Sequence, residues 1–183
     1  MNFRRTVSAF ATAAAFTAVP SVQAAITTFT GDTTGKPTFT RPVEDLSTLS
    51  SFGIGVHYDT LSFTTDGAGA YTFLTTGAFD TFSLLYGPTF SAAAPLVNAL
   101  IANDDLLTIP ITTSGFAYTL AAGAKYVLVT TGFAPTDFGA YSVTIGGPDA
   151  VITVLPEPEI YALMGAGLCL AFFLRRRSRA AND

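Results

Sequence analysis

The middle of this chain predicts an all-β fold, an antiparallel β-sandwich of jelly-roll-like or immunoglobulin-like type, and three observations carry the prediction. Large apolar residues alternate with small or polar ones, turn-forming residues recur every 10 to 15 positions, and no long stretch holds a helical period. Terminal segments of different character flank this region, an expected signal helix in front and an expected transmembrane helix behind. The chain divides accordingly into residues 1–24, 25–155 and 156–183.

Residues 1–24 come first. Arg4 and Arg5 precede Val7 to Val19, which contain no charge, and Pro20 leads into the small-residue run Val22-Gln23-Ala24-Ala25. That is the order of the charged, apolar and cleavage regions of a secretory signal peptide, with cleavage by signal peptidase expected after Ala24, or after Ala25 as the alternative. The arginine pair lacks the wider context of a twin-arginine signal, so general secretion is expected.

Strands are then predicted along the middle. Tyr71-Thr72-Phe73-Leu74 and Phe82-Ser83-Leu84-Leu85-Tyr86 are two of them; Phe116-Ala117-Tyr118-Thr119-Leu120 and Tyr141-Ser142-Val143-Thr144-Ile145 show the clearest two-residue period. The β-branched run Tyr126-Val127-Leu128-Val129-Thr130-Thr131 suits a more central strand. Turn signals stand between them at Asp66-Gly67-Ala68-Gly69, Gly87-Pro88, Asn103-Asp104-Asp105, Ala122-Gly123 and Gly146-Gly147-Pro148-Asp149. Ala92 to Ala102 is expected to be a short helix, a local exception.

Composition narrows the function. Hydrophobic residues make up 49% of the chain and charged residues 12%, against roughly 25% charged in an ordinary globular protein. Six of the nine cations lie in the two terminal segments, leaving Lys36, Arg41 and Lys125 against ten acidic side chains, a formal charge of −7 from Ala25 to Leu155. Phosphate binding needs a basic surface, so a nucleic-acid partner is excluded. Cys169 is the single cysteine, which rules out a disulfide within the chain.

Little catalytic chemistry is available. A hydrolytic triad needs a histidine to carry a proton, and the single histidine, His57, lies beside Tyr58 and Asp59 in an expected strand where a structural role suits it. Zinc would want several His or Cys ligands. Carboxylate pairs for glycoside hydrolysis can be drawn from Asp80, Asp104, Asp105 and Asp137, but no spacing selects one. The chain is therefore expected not to be an enzyme. Calcium is the better candidate, because a hard cation wants several oxygen ligands and Asn103-Asp104-Asp105 is an oxygen-rich loop that Asp80 can join. The segment lacks the repeating Asp-x-Asp-x-Asp-Gly pattern of a dedicated calcium loop, and no other cofactor is expected.

Residues 156–183 close the chain. Pro156-Glu157-Pro158-Glu159 leads into fifteen uncharged, mostly apolar residues, Ile160 to Leu174, followed by Arg175, Arg176, Arg177 and Arg179. As a helix this run would rise about 22 Å, short of the roughly 30 Å hydrocarbon core, with the arginines snorkelling at one face. The positive-inside rule leaves the arginines in the cytoplasm and everything before Pro156 outside the inner membrane.

This three-part tail resembles the PEP-CTERM sorting signal of Gram-negative bacteria. Pro156, Glu157 and Pro158 match its signature, Ile160 to Leu174 its membrane segment, and Arg175 to Arg179 its basic stop; Glu159 departs from the small or hydroxyl residue often found there. The resemblance implies that an exosortase, a membrane cysteine protease, cuts the tail, so that the chain is a substrate. It further implies a transient inner-membrane anchor, a final location in the envelope or outside the cell, and association with exopolysaccharide or biofilm. In the middle, Asp80 to Tyr86, Asn103-Asp104-Asp105, Ala121 to Tyr126 and Phe138-Gly139-Ala140-Tyr141 loosely resemble bacterial pre-peptidase C-terminal-type β-sandwich modules. That likeness implies an accessory or adhesive role. Three functions are thus expected in descending order: a non-catalytic matrix or envelope protein, a calcium-assisted carbohydrate-binding module, and a secreted hydrolase.

Overall fold

Alternating side chains need a second layer to bury one face of each strand, and the computed structural model, which describes residues 24–106 and 111–153, supplies it. Its strands are β1 (Ala25–Asp32), β2 (Thr38–Pro42), β3 (Leu49–Thr65), β4 (Gly69–Gly77), β5 (Thr81–Tyr86), β6 (Ala99–Asn103), β7 (Thr113–Leu120), β8 (Tyr126–Gly132), β9 (Ala140–Gly147) and β10 (Val151–Thr153). One sheet runs β1-β9-β4-β7; the other runs β10-β3-β8-β5-β6, with β2 added to β3. All of these pairings are antiparallel. The expected signal helix, the Pro156-Glu157-Pro158 motif, the membrane segment and the arginine cluster lie outside the described residues. No helix among the described residues is long and apolar enough to cross a membrane.

Between the sheets sits a core of Phe63, Tyr71, Phe73, Leu85, Leu120, Leu128, Val143 and Ile145. A second core lies on the outer face of the larger sheet, where Val56, Phe82, Leu84, Tyr86, Val127 and Val129 are covered by Phe39 of β2 and Phe90 of the loop after β5. Phe90 makes edge-on ring contacts with Phe39, Tyr58 and Tyr86, and the Tyr86 hydroxyl donates to Pro95 O at 2.8 Å, which pins that loop down. Strands β5 and β8 are consequently buried on both faces along their whole length. This is the central position expected of the Val127-Leu128-Val129 run.

The short helix expected over Ala92 to Ala102 does not form. Residues 92–97 make turns and bends, and the segment ends in strand β6. Pro95 removes a backbone donor there, Asn98 takes a left-handed φ of 65°, and Ala99 and Ala102 pack on the second core. Tertiary contact overrides a locally helical composition.

Candidate cation site

Strands β5 and β6 are antiparallel neighbours with Ser83 opposite Asn103. That register brings the residue before β5 and those following β6 to the same end of the sheet, so Asp80, Asp104 and Asp105 meet although 24 residues separate the first two. Each offers a carboxylate oxygen, and these oxygens all lie within 4.8 Å of one another. Asp80 Oδ1 and Asp104 Oδ1 are out of solvent with no hydrogen-bond partner. A buried acceptor left in that state costs roughly 1–3 kcal/mol and more when charged, so these two oxygens fit a ligand that accepts their lone pairs.

Asn103, the fourth residue of the expected set, is turned to other work. Its amide nitrogen donates to Glu44 Oε1 at 2.8 Å and its carbonyl oxygen accepts from Gly115 N at 2.8 Å, tying the β2–β3 loop and β7 to the end of β6. Asp137, in the loop after β8, accepts from Ala134 N at 2.8 Å, and the same loop donates Phe133 N–H to Asp80 O at 3.1 Å.

Arg41 was not legible as part of this site. It is 2% exposed at the end of β2, donating Nε–H to Phe133 O and Nη1–H to Pro42 O, both at 3.1 Å. Its guanidinium lies 4.0 Å from the ring centre of Phe82 and 4.7 Å from that of Phe133. Gly53 makes the space, since a Cβ there would lie 2.7 Å from Arg41 Nε. In sequence the only signal is that Arg41 is one of three cations in an acidic domain.

Electrostatics follow from this crowding. Burial pushes the Asp80 carboxyl up to about 6, with repulsion from Asp105 and Asp137 adding to it and Arg41 opposing. Asp104 is likewise raised to about 6, first by burial and then by Asp80, Asp105 and Glu44, again against Arg41. Three carboxylates converging on one point with a single nearby guanidinium leave excess negative charge, the donor set that a hard divalent cation prefers.

His57 stands apart from this cluster. Its Nδ1 is 2.6 Å from Lys36 O and its ring packs edge-on against Phe138 with centroids 5.2 Å apart, a structural role as expected.

No family model and no curated protein sequence matches the chain. Among solved structures it is similar to PliG of Aeromonas hydrophila, a periplasmic inhibitor of g-type lysozyme, with TM-score 0.36 and 13% identity, covering 68% of this chain and 86% of that one. It is also similar to the cleaved adhesin domain of Lys-gingipain from Porphyromonas gingivalis, with TM-score 0.30 and 19% identity, covering 74% of this chain and 93% of that one. Likeness at this level assigns no function to the chain.

Proposed function

We propose that the chain is an exported, non-catalytic envelope or matrix protein whose β-sandwich holds a calcium ion at Asp80, Asp104 and Asp105. One observation carries the cation: two buried carboxylate oxygens without partners, in reach of a third carboxylate. Export and sorting rest on the residues at the two ends, from Arg4 to Ala25 and from Pro156 to Arg179. A non-catalytic role is supported by the position of His57, whose ring is held by Lys36 and Phe138 away from the acidic cluster. In this reading calcium neutralises repulsion at one end of the larger sheet and stiffens the loops there, the end that meets an exopolysaccharide partner.

The test is the melting temperature of the exported protein in calcium and in chelator. A ligand that binds only the folded state stabilises by RT ln(1 + [L]/Kd), about 2.7 kcal/mol at one hundred times Kd, so calcium raises the melting temperature by several degrees. Asp104→Asn removes most of that gain. Equal melting in calcium and chelator, with the fold intact, refutes the cation.

A further inference from the structure

Strands β6 and β7 are the last strands of their respective sheets on the same side of the sandwich. They are tied together where Gly115 N–H donates to Asn103 Oδ1 at 2.8 Å. Away from that tie, between Leu100 of β6 and Tyr118 of β7, a groove of about 750 Å³ opens between the sheets. Pro88, Leu100, Tyr118, Leu120, Tyr126 and Lys125 line it, and Leu120 and Tyr126 belong to the central core. Small-molecule sites run from roughly 300 to 1,000 Å³ and are mostly apolar with a few placed polar groups.

The polar groups of this groove are few. The Tyr126 hydroxyl is already engaged, accepting from Ala121 N at 3.0 Å. Lys125 is exposed. Of the three cations among the described residues, Lys36 pairs with Asp59 at 3.3 Å and Arg41 is buried, whereas Lys125 makes no ion pair with another described residue. In a domain of formal charge −7, a solitary cation beside an apolar groove is complementary to an apolar body with one anionic group. Tyr118 and Thr119 also line the groove, so an oligosaccharide is the competing occupant that the test must exclude.

We propose that this groove binds an alkyl carboxylate, its chain against Pro88, Leu100 and Tyr118 and its head at Lys125. The chain contains no tryptophan, so Tyr118→Trp places a single indole at the groove. The experiment titrates octanoate, decanoate, decanol, decyltrimethylammonium and an acidic oligosaccharide into the full chain in lipid nanodiscs, with empty nanodiscs as the partition blank. Leu100→Trp serves as a second reporter if the first variant melts early.

Decanoate is expected to blue-shift and saturate the emission, about tenfold more tightly than octanoate because each buried methylene adds severalfold to affinity. The ammonium compound binds at least tenfold more weakly, and Lys125→Glu inverts that preference. Equal binding of decanoate, decanol and the ammonium compound overturns the proposal, because the groove is then only an apolar surface. So does an emission that answers to an acidic oligosaccharide and not to decanoate, and so does no shift in either folded reporter.

Discussion

Asp80 and Asp104 are where single residues make a measurable statement. Their carboxyls titrate near 6 in the fold against 3.8 in the unfolded chain, so between about pH 4 and pH 6 the folded state holds protons that the unfolded state has released. Stability from these two groups is therefore full below about pH 4 and is lost as the pH rises through 6. Asp32 and Asp45 shift the opposite way, lowered by bonds from Thr34 and Ser47, and their contribution is lost below pH 4, outside that window. The groups that face the pair are Arg41, Asp105, Asp137 and Glu44, and none of Asp105, Asp137 or Glu44 offers it a compensating positive charge. In chelator the melting temperature is expected to fall from pH 4 to pH 6.5, and in calcium, which binds the deprotonated carboxylates, the fall should vanish. Melting curves of the wild type and of the Asp80→Asn/Asp104→Asn double variant decide it, because the double variant should be flat in both conditions. A fall of the same size in the double variant would place the titration elsewhere.

At the level of elements, strand β5 explains both the fold and the limits of reading it from sequence. Phe82, Leu84 and Tyr86 face the outer core and Leu85 the inner one. Ser83, also inward, is fully buried, with its Oγ 2.8 Å from Thr75 Oγ1 and 2.8 Å from Ser114 Oγ, bridging β4 and β7 across the sandwich. Ser83→Ala is expected to destabilise the domain by about 2 kcal/mol, since two buried hydroxyls lose a partner at once. Denaturant unfolding measures it, and a loss well under 0.5 kcal/mol would mean that the hydroxyls re-pair with each other. Strands β4, β5, β7, β8 and β9 were legible because each carries large apolar residues with a two-residue period or a β-branched run. Strand β6 was hidden by its alanine-rich, locally helical composition, and β10 by its three-residue length. Strand β3 was expected only around His57, Tyr58 and Asp59; its full extent was hidden by an irregular burial pattern, produced where bulges in its pairing with β2 and the left-handed φ of 74° at Gly55 break the period. Of the site, the acidic residues could be named from composition. The diversion of Asn103 to Glu44 and the burial of Arg41 against Phe133, 92 positions away, depend on which loops meet in space, and no local pattern encodes that.

For the whole molecule, chain order and sheet order are interleaved: apart from the β2–β3 and β5–β6 pairs, each successive strand crosses to the other sheet. Such a domain forms mostly non-local contacts, so it must be complete before either sheet is stable. Its outermost strands sit close to the two proposed processing points. Ala25 opens β1, paired with Gly147, directly after the expected signal-peptide cut, and β10 ends at Thr153, three positions before Pro156. Cutting at Ala24 and at Pro156-Glu157-Pro158 would therefore leave all ten strands whole, so the sandwich can be released intact. Proline lacks a backbone donor and biases the residue before it toward extended conformations, which favours presentation of the Pro-Glu-Pro segment to a protease. As a membrane segment, the run of fifteen uncharged residues from Ile160 to Leu174 would be only a marginal anchor behind it. A tag placed after Arg179 is accordingly expected to part from the sandwich in cells with an active exosortase and to stay joined in cells without one. Replacing Pro156 and Pro158 by alanine should leave the uncut form in the membrane fraction, with the melting temperature of the sandwich unchanged because neither residue belongs to a described strand. Should the tag remain attached in exosortase-containing cells, the tail is a permanent anchor, and the sandwich works tethered to the outer face of the inner membrane.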